Sequence, residues 1–362
     1  MPRARSNPLY DALRSRTHKF NATDLAGLLA HADKNRIEKM SIDIGKYVSE
    51  YLPRVISGRN GLSDYRANPY VLTTSANILR LEKPEVFARF LFNTKLYMAL
   101  ETSFGKSIES ALLSSYPIDS SANWEDPDEK IEEFKKLEGL SREDRARERT
   151  ASVWREIDRS CIKGYCRYLV SVKSGPNTIN DSQVQAMTQA IIEHHQKWLL
   201  VSRRRNPKVK RLDIVIGLSY GTEKTTNNKE NQIIIKLLNK GFVEEDRENK
   251  PGVIIDSKTR SIRVYRVIGK EFWGFIGNPT NPTQSEYVFL EVLLALARAL
   301  SHGMPTKTIE EAINERLQAL SSALSKLRLP KGSLPPWISD QFNENELFWL
   351  MTSLTSFYDE GI

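Results

Sequence analysis

The chain has 362 residues, enough to bury a substantial core as one large domain with appendages or as two domains. Hydrophobic residues make up 40% and charged residues 27%, and 53 Lys and Arg against 45 Asp and Glu leave a net charge of +8, which favours a polyanionic partner, nucleic acid first. Two cysteines exclude a disulfide scaffold, and the longest apolar run, Val288 to Leu300, is broken by Glu291 and Arg298 and is too short to span a bilayer.

The basic N-terminus has no apolar h-region, so a secretory signal is not expected and the expected location is the cytoplasm, with no membrane contact. Residues 1–67 read as a helical accessory region, with Leu25, Leu28, Leu29, Ile42, Ile44, Val48 and Tyr51 at helix-like intervals. Asn60-Gly61 through Asn68-Pro69 marks a turn-rich connection, after which a core over 68–303 is expected. From Pro84 a long helix-forming stretch carries Glu101, Gly105 and Glu109 at i, i+4 and i+8, a spacing that places them on one face. Gly105-Lys106-Ser107 is not a phosphate loop, because Leu100 stands where that pattern needs its first glycine. Residues 117–150, with Pro117 and Pro127, read as a charged insertion: a loop and then a solvated helix.

Ile157 to Gly175 reads as two strands joined by a Lys163-Gly164 turn. That turn sets Cys161 against Cys166, Asp158 against Leu169 and Glu156 against Ser171. Alternation puts Asp158, Ser171 and Lys173 on one face, and Cys166, Tyr168, Val170 and Val172 on the other.

A helix follows, with a stripe of Val184, Met187, Ala190, Ile191 and Trp198; His194 and His195 on it lack a partner histidine at i+4. The run from Ser202 to Arg211 offers Arg203, Arg204, Arg205, Lys208 and Lys210 as phosphate contacts. Leu212 to Leu218 reads as a buried strand. In the polar stretch behind it, Lys224, Asn227 and Asn228 could reach base edges, since Asn suits adenine and Lys suits guanine. Val253–Asp256 and Ser261–Val267 read as strands, residues 269–278 as a short aromatic helix, and 285–301 as an apolar helix. Residues 304–362 form a helical C-terminal region.

An acid-bearing helix, then a hairpin with an acid and a lysine, then helix and strand, suits an α/β sheet holding Mg2+ against a phosphodiester. Five segments resemble the PD-(D/E)xK nucleases, and more narrowly the type II restriction endonucleases that cut RGGNCCY-like sites. They are NPYVL with TSFGKSIESALL; EIDRSCIKGYCRYLVSVKSGPNTIN; DIVIGLSYG; IRVYRVIGKEFWGFIGN; and the apolar helix after it, roughly residues 68–300. The resemblance implies a mixed central sheet flanked by helices, Mg2+-dependent cleavage of double-stranded DNA at a palindrome, a homodimer, and a companion DNA methyltransferase. It matches Asp158 to the first metal-binding acid and Lys173 to the lysine. Ser171 departs from it, standing where the pattern has Asp or Glu. Glu109 is the first candidate for the missing carboxylate and Glu156 the second. A DNA-binding protein of the same fold without catalysis, and a repair or mobile-element nuclease, are the alternatives.

Overall fold

The computed structural model describes residues 17–56, 68–115, 124–173, 179–222, 224–240, 244–246, 251–255, 260–282, 287–302, 306–329 and 334–357, with Leu9, Ala12, Ser15, Tyr65, Gly175 and Asn249 besides. Helices α1 (Ala22–Leu29), α2 (Lys34–Ile56), α3 (Pro69–Ile78), α4 (Pro84–Ser115), α5 (Asp128–Lys135) and α6 (Arg142–Ala151) precede a hairpin of β1 (Arg159–Lys163) and β2 (Cys166–Lys173). Helix α7 (Asp181–Arg205) leads to β3 (Arg211–Leu218), followed by α8 (Lys229–Leu238), β4 (Glu244–Glu245), β5 (Gly252–Ile254) and β6 (Ile262–Ile268). Then come α9 (Lys270–Gly277), α10 (Val288–His302), α11 (Thr306–Ser325), α12 (Pro336–Gln341) and α13 (Glu344–Phe357). Two compact units are present, residues 1–45 with 104–299 and residues 46–103 with 300–362.

The first unit is α/β. Its six strands form an open mixed sheet in the order β1-β2-β3-β6-β5-β4. β2, β3 and β6 are parallel, and the pairs on either side are antiparallel. The central strand reads LDIVIGL because a parallel strand covered on both faces has no solvent side for polar residues. On one face, Leu169, Ile214, Ile216 and Val264 pack with Val184, Met187, Ile191 and Trp198 of α7 and Ile233 of α8. The other face carries an aromatic group in which Phe275 of α9 lies 5.5 Å from Trp124 and 5.6 Å from Tyr168, and Trp124 Nε1 donates to the Ile276 carbonyl at 2.7 Å.

The second unit is helical among its described residues. Phe87, Leu91 and Phe92 of α4 bury against Leu320, Leu324, Phe348 and Trp349, and Trp349 Nε1 donates to the Leu81 carbonyl at 2.9 Å.

Three local readings are corrected. Asn68-Pro69 starts α3 rather than serving as a connection, because Asn68 caps the Tyr70 and Val71 N–H groups while proline suits the first helical position. The polar stretch after β3, expected from its composition to run on to Gln232, ends at Asn228, so Gln232 is helical. The hairpin turn is Gly164-Tyr165 rather than Lys163-Gly164, which pairs Lys163 with Cys166 and Cys161 with Tyr168. Gly164 has φ +61°, and a two-residue turn of the II′ kind places glycine first, not second. The displacement is two residues, so the sorting of strand side chains onto faces is unchanged. No described helix is long and apolar enough to cross a membrane.

Candidate functional site

Asp158 lies immediately before β1, half-buried. Its N–H donates to the Val170 carbonyl at 2.8 Å, and its Oδ2 accepts the Val172 N–H at 2.7 Å. The carboxylate therefore occupies the place that the backbone of a longer β1 would take. Its two bonds bracket Ser171, so the residue alongside Ser171 is Asp158, not Glu156, and Asp158 does not face Leu169.

Ser171 is 1% exposed, and its hydroxyl has no hydrogen-bond partner among the described residues. Alternation puts it on the Leu169 face, toward α7. Lys173, two residues on, shares that face, is half-buried and makes no ion pair among the described residues, while its carbonyl accepts the Ser219 N–H at 2.9 Å. Lys173 pairs with Leu218, so the acid, hydroxyl and ammonium all gather at the carboxyl ends of the parallel strands. Ligands of open α/β sheets bind outside that end.

Neighbouring contacts fix this end. Lys130 Nζ donates to the Ile157 carbonyl at 2.7 Å, and Arg159 Nη1 donates to the Asp158 carbonyl at 2.7 Å and to Asp126 Oδ1 at 2.6 Å. Gly175 lies close under Tyr220: a Cβ there would come 2.2 Å from the end of that ring, which would have to move aside. Asn227 Nδ2 donates to the Ile179 carbonyl at 3.0 Å and its Oδ1 accepts the Lys229 N–H at 3.1 Å, so this side chain ties the loop after β3 to the start of α7. Asn228, at φ 61°, heads α8, its side chain bonded to that of Asn231; Lys224 is exposed in the same loop. These three share a sheet end with Asp158.

Glu156 is drawn to Arg155 at 3.4 Å. Glu109 lies on α4, and its side chain falls outside the described residues. Arg203, Arg204, Arg205, Lys208 and Lys210 sit at the amino-terminal end of β3, where Lys210 N–H donates to the Tyr165 carbonyl at 2.7 Å. From Arg211 to Leu218 the strand covers about 23 Å, so this run and Asp158 occupy opposite ends of the sheet. Arg205 is held by Asp128 and Glu129.

A buried polar network on the aromatic face was not foreseen. Asp213, 2% exposed, has Arg211 Nε 2.9 Å from Oδ1, and its Oδ2 accepts from Tyr265 at 3.3 Å. Burial pushes its carboxyl above the usual range, with Arg211 and then Arg263 pulling the other way. A carboxylate inside an otherwise apolar strand, two residues from an arginine, was the signal available in sequence. Cys161 and Cys166 are both free and buried, and burial pushes each thiol up to about 12. Both are packing residues.

Among the described residues no group of three or more His, Cys, Asp or Glu side chains is arranged to hold a metal. The donors at Asp158 fit a magnesium ion in a sparse form. That ion takes one or two carboxylates and keeps several waters. Asp158 Oδ1 is not used by Val172, and the orphaned Ser171 hydroxyl lies beside it in the chain pairing. No family model matches the chain, and no curated protein matches it.

Proposed function

We propose that the first unit is the PD-(D/E)xK core of a type II restriction endonuclease that hydrolyses DNA phosphodiesters at a palindromic duplex site, GG/CC-containing by resemblance. The observation that carries this reading is the gathering of Asp158, Ser171 and Lys173 at the carboxyl end of β2.

In this reading Asp158, oriented by the Val172 N–H, and Ser171 hold the cation. Bound magnesium would polarise the phosphate and acidify a water. The Lys173 ammonium donates hydrogen bonds to the attacking water and to phosphoryl oxygen, offsetting the negative charge that builds there. Glu109 remains the first candidate for a second carboxylate and Glu156, drawn to Arg155, the second. Lys224 and Asn228 would meet the bases, whereas Asn227 holds its loop. A homodimer would read both half-sites, and a companion methyltransferase would protect host DNA in the cytoplasm.

The test is digestion of a mapped plasmid with Mg2+. Discrete fragments support a restriction enzyme, and smearing or structure-dependent nicking supports a repair or mobile-element nuclease. Glu109→Gln should cost more activity than Glu156→Gln. Ser171 in the usual place of an acid favours a second reading, duplex binding without catalysis, which binding in EDTA with no cleavage in Mg2+ would select.

A further inference from the structure

We infer that the amino-terminal end of the parallel strands is a second contact surface for duplex phosphates, separate from the Asp158 site. Four exposed cations define it: Arg203 and Arg204 in the last turn of α7, and Lys208 and Lys210 in the connection to β3. The connection is built rather than loose. Asn206 Oδ1 accepts the Lys208 N–H at 3.0 Å, and the Asn206 carbonyl accepts the Val209 N–H at 2.9 Å. Val209 is 1% exposed, and with its side chain turned inward the lysines on either side of it are exposed. Beside them the half-exposed Tyr165 ring, stacked on an Arg211 guanidinium that Asp213 already pairs, adds an aromatic face at 5.6 Å from that guanidinium.

The nearby acids are already engaged. Asp128 takes Arg205, and Glu129 takes Arg167 and Arg205. Arg204, Lys208 and Lys210 make no ion pair among the described residues. The helix dipole accounts for cations in the last turn of α7, but not for the two lysines beyond it. Like charges set side by side without counter-ions repel, and a polyanion offsets that cost.

Duplex DNA as the ligand rests on the nuclease reading. The separation of about 23 Å along β3 corresponds to about seven base-pair steps. This surface therefore meets phosphates other than the scissile one and adds affinity that carries no sequence information.

The test compares wild type with Arg204→Ala/Lys208→Ala/Lys210→Ala and with the charge-preserving Arg204→Lys/Lys208→Arg/Lys210→Arg, both matched to wild type in thermal melting. Fluorescence anisotropy follows binding to a labelled duplex of about 30 base pairs, roughly 100 Å long, in EDTA over a salt series. The slope of log affinity against log salt should be shallower by about 2.7 in the alanine variant, about 0.9 for each phosphate no longer neutralised, and unchanged in the charge-preserving one. An unchanged slope in the alanine variant overturns the inference. So does an alanine variant that loses binding to anionic phospholipid vesicles while keeping that to the duplex. EDTA prevents cleavage, so failure here is separable from failure of Asp158 and Lys173 as a nuclease centre.

Discussion

Asp158 Oδ2 accepts the backbone N–H of Val172 at 2.7 Å, so one carboxylate both closes the end of the hairpin and faces the place where a cation is proposed. The two roles separate by substitution. Asp158→Asn keeps an acceptor for Val172 and should lose less than about 1 kcal/mol, whereas Asp158→Ala leaves that N–H unpaired and should cost about 1–3 kcal/mol. Both should abolish cleavage. Chemical denaturation beside a plasmid assay checks this, and equal stability of the two variants would remove the structural half of the claim.

Ser171→Asp restores the acid of the superfamily pattern at a position 1% exposed. Without a cation, a carboxyl there should destabilise by roughly 2–4 kcal/mol, taking up a proton rather than remaining ionised. Added Mg2+ should recover part of that loss, since a ligand bound only to the folded state stabilises it. The readout is the melting temperature with Mg2+ against EDTA. A variant indifferent to Mg2+ would argue against a cation beside Ser171.

Arg167, 2% exposed, is paired with Glu129 at 2.9 Å. Burial pushes the Glu129 carboxyl up, but the Arg167 hydrogen bonds and charge outweigh it and hold its pKa below the usual value. A depressed folded pKa contributes stability above the unfolded value of about 4.3, and that contribution is lost as pH falls through the folded value. Glu129→Gln should therefore cost about 1–3 kcal/mol at neutral pH. It should also lose less stability than wild type between about pH 5 and pH 3, as followed by denaturant titration at each pH.

Cys161 and Cys166 are 3% exposed, with thiols pushed up to about 12. A thiol reagent at about pH 8, near the ordinary thiol range, should modify neither in the folded protein and both after denaturation. Rapid labelling of the native chain would contradict the packing at β1 and β2.

Much of the sheet is legible in sequence, because an apolar β-branched run such as Leu212–Leu218 has few other homes, and period-two alternation sorts the hairpin side chains correctly. Register is not, since Gly164 could occupy either position of the turn, and the pairing of Lys163 with Cys166 decides. Asn68-Pro69 is ambiguous in a similar way, being a loop signal that is also a cap followed by a favoured first helical residue. For the site, alternation puts Asp158, Ser171 and Lys173 on one face, but spacing sets Glu156 beside Ser171, and only the observed pairing brings Asp158 there. The basic run at 203–210 looks equally apt in sequence, yet strand direction sends it to the opposite end. Glu109 is reached through resemblance, and its side chain lies outside the described residues.

The most direct measurement is cleavage of a mapped plasmid by wild type, Asp158→Asn and Lys173→Ala, each with Mg2+ and with EDTA, alongside duplex binding by all three. The account predicts discrete fragments from wild type with Mg2+ alone, and no fragments from either variant although both still bind the duplex. Full cleavage by Asp158→Asn or Lys173→Ala would contradict it.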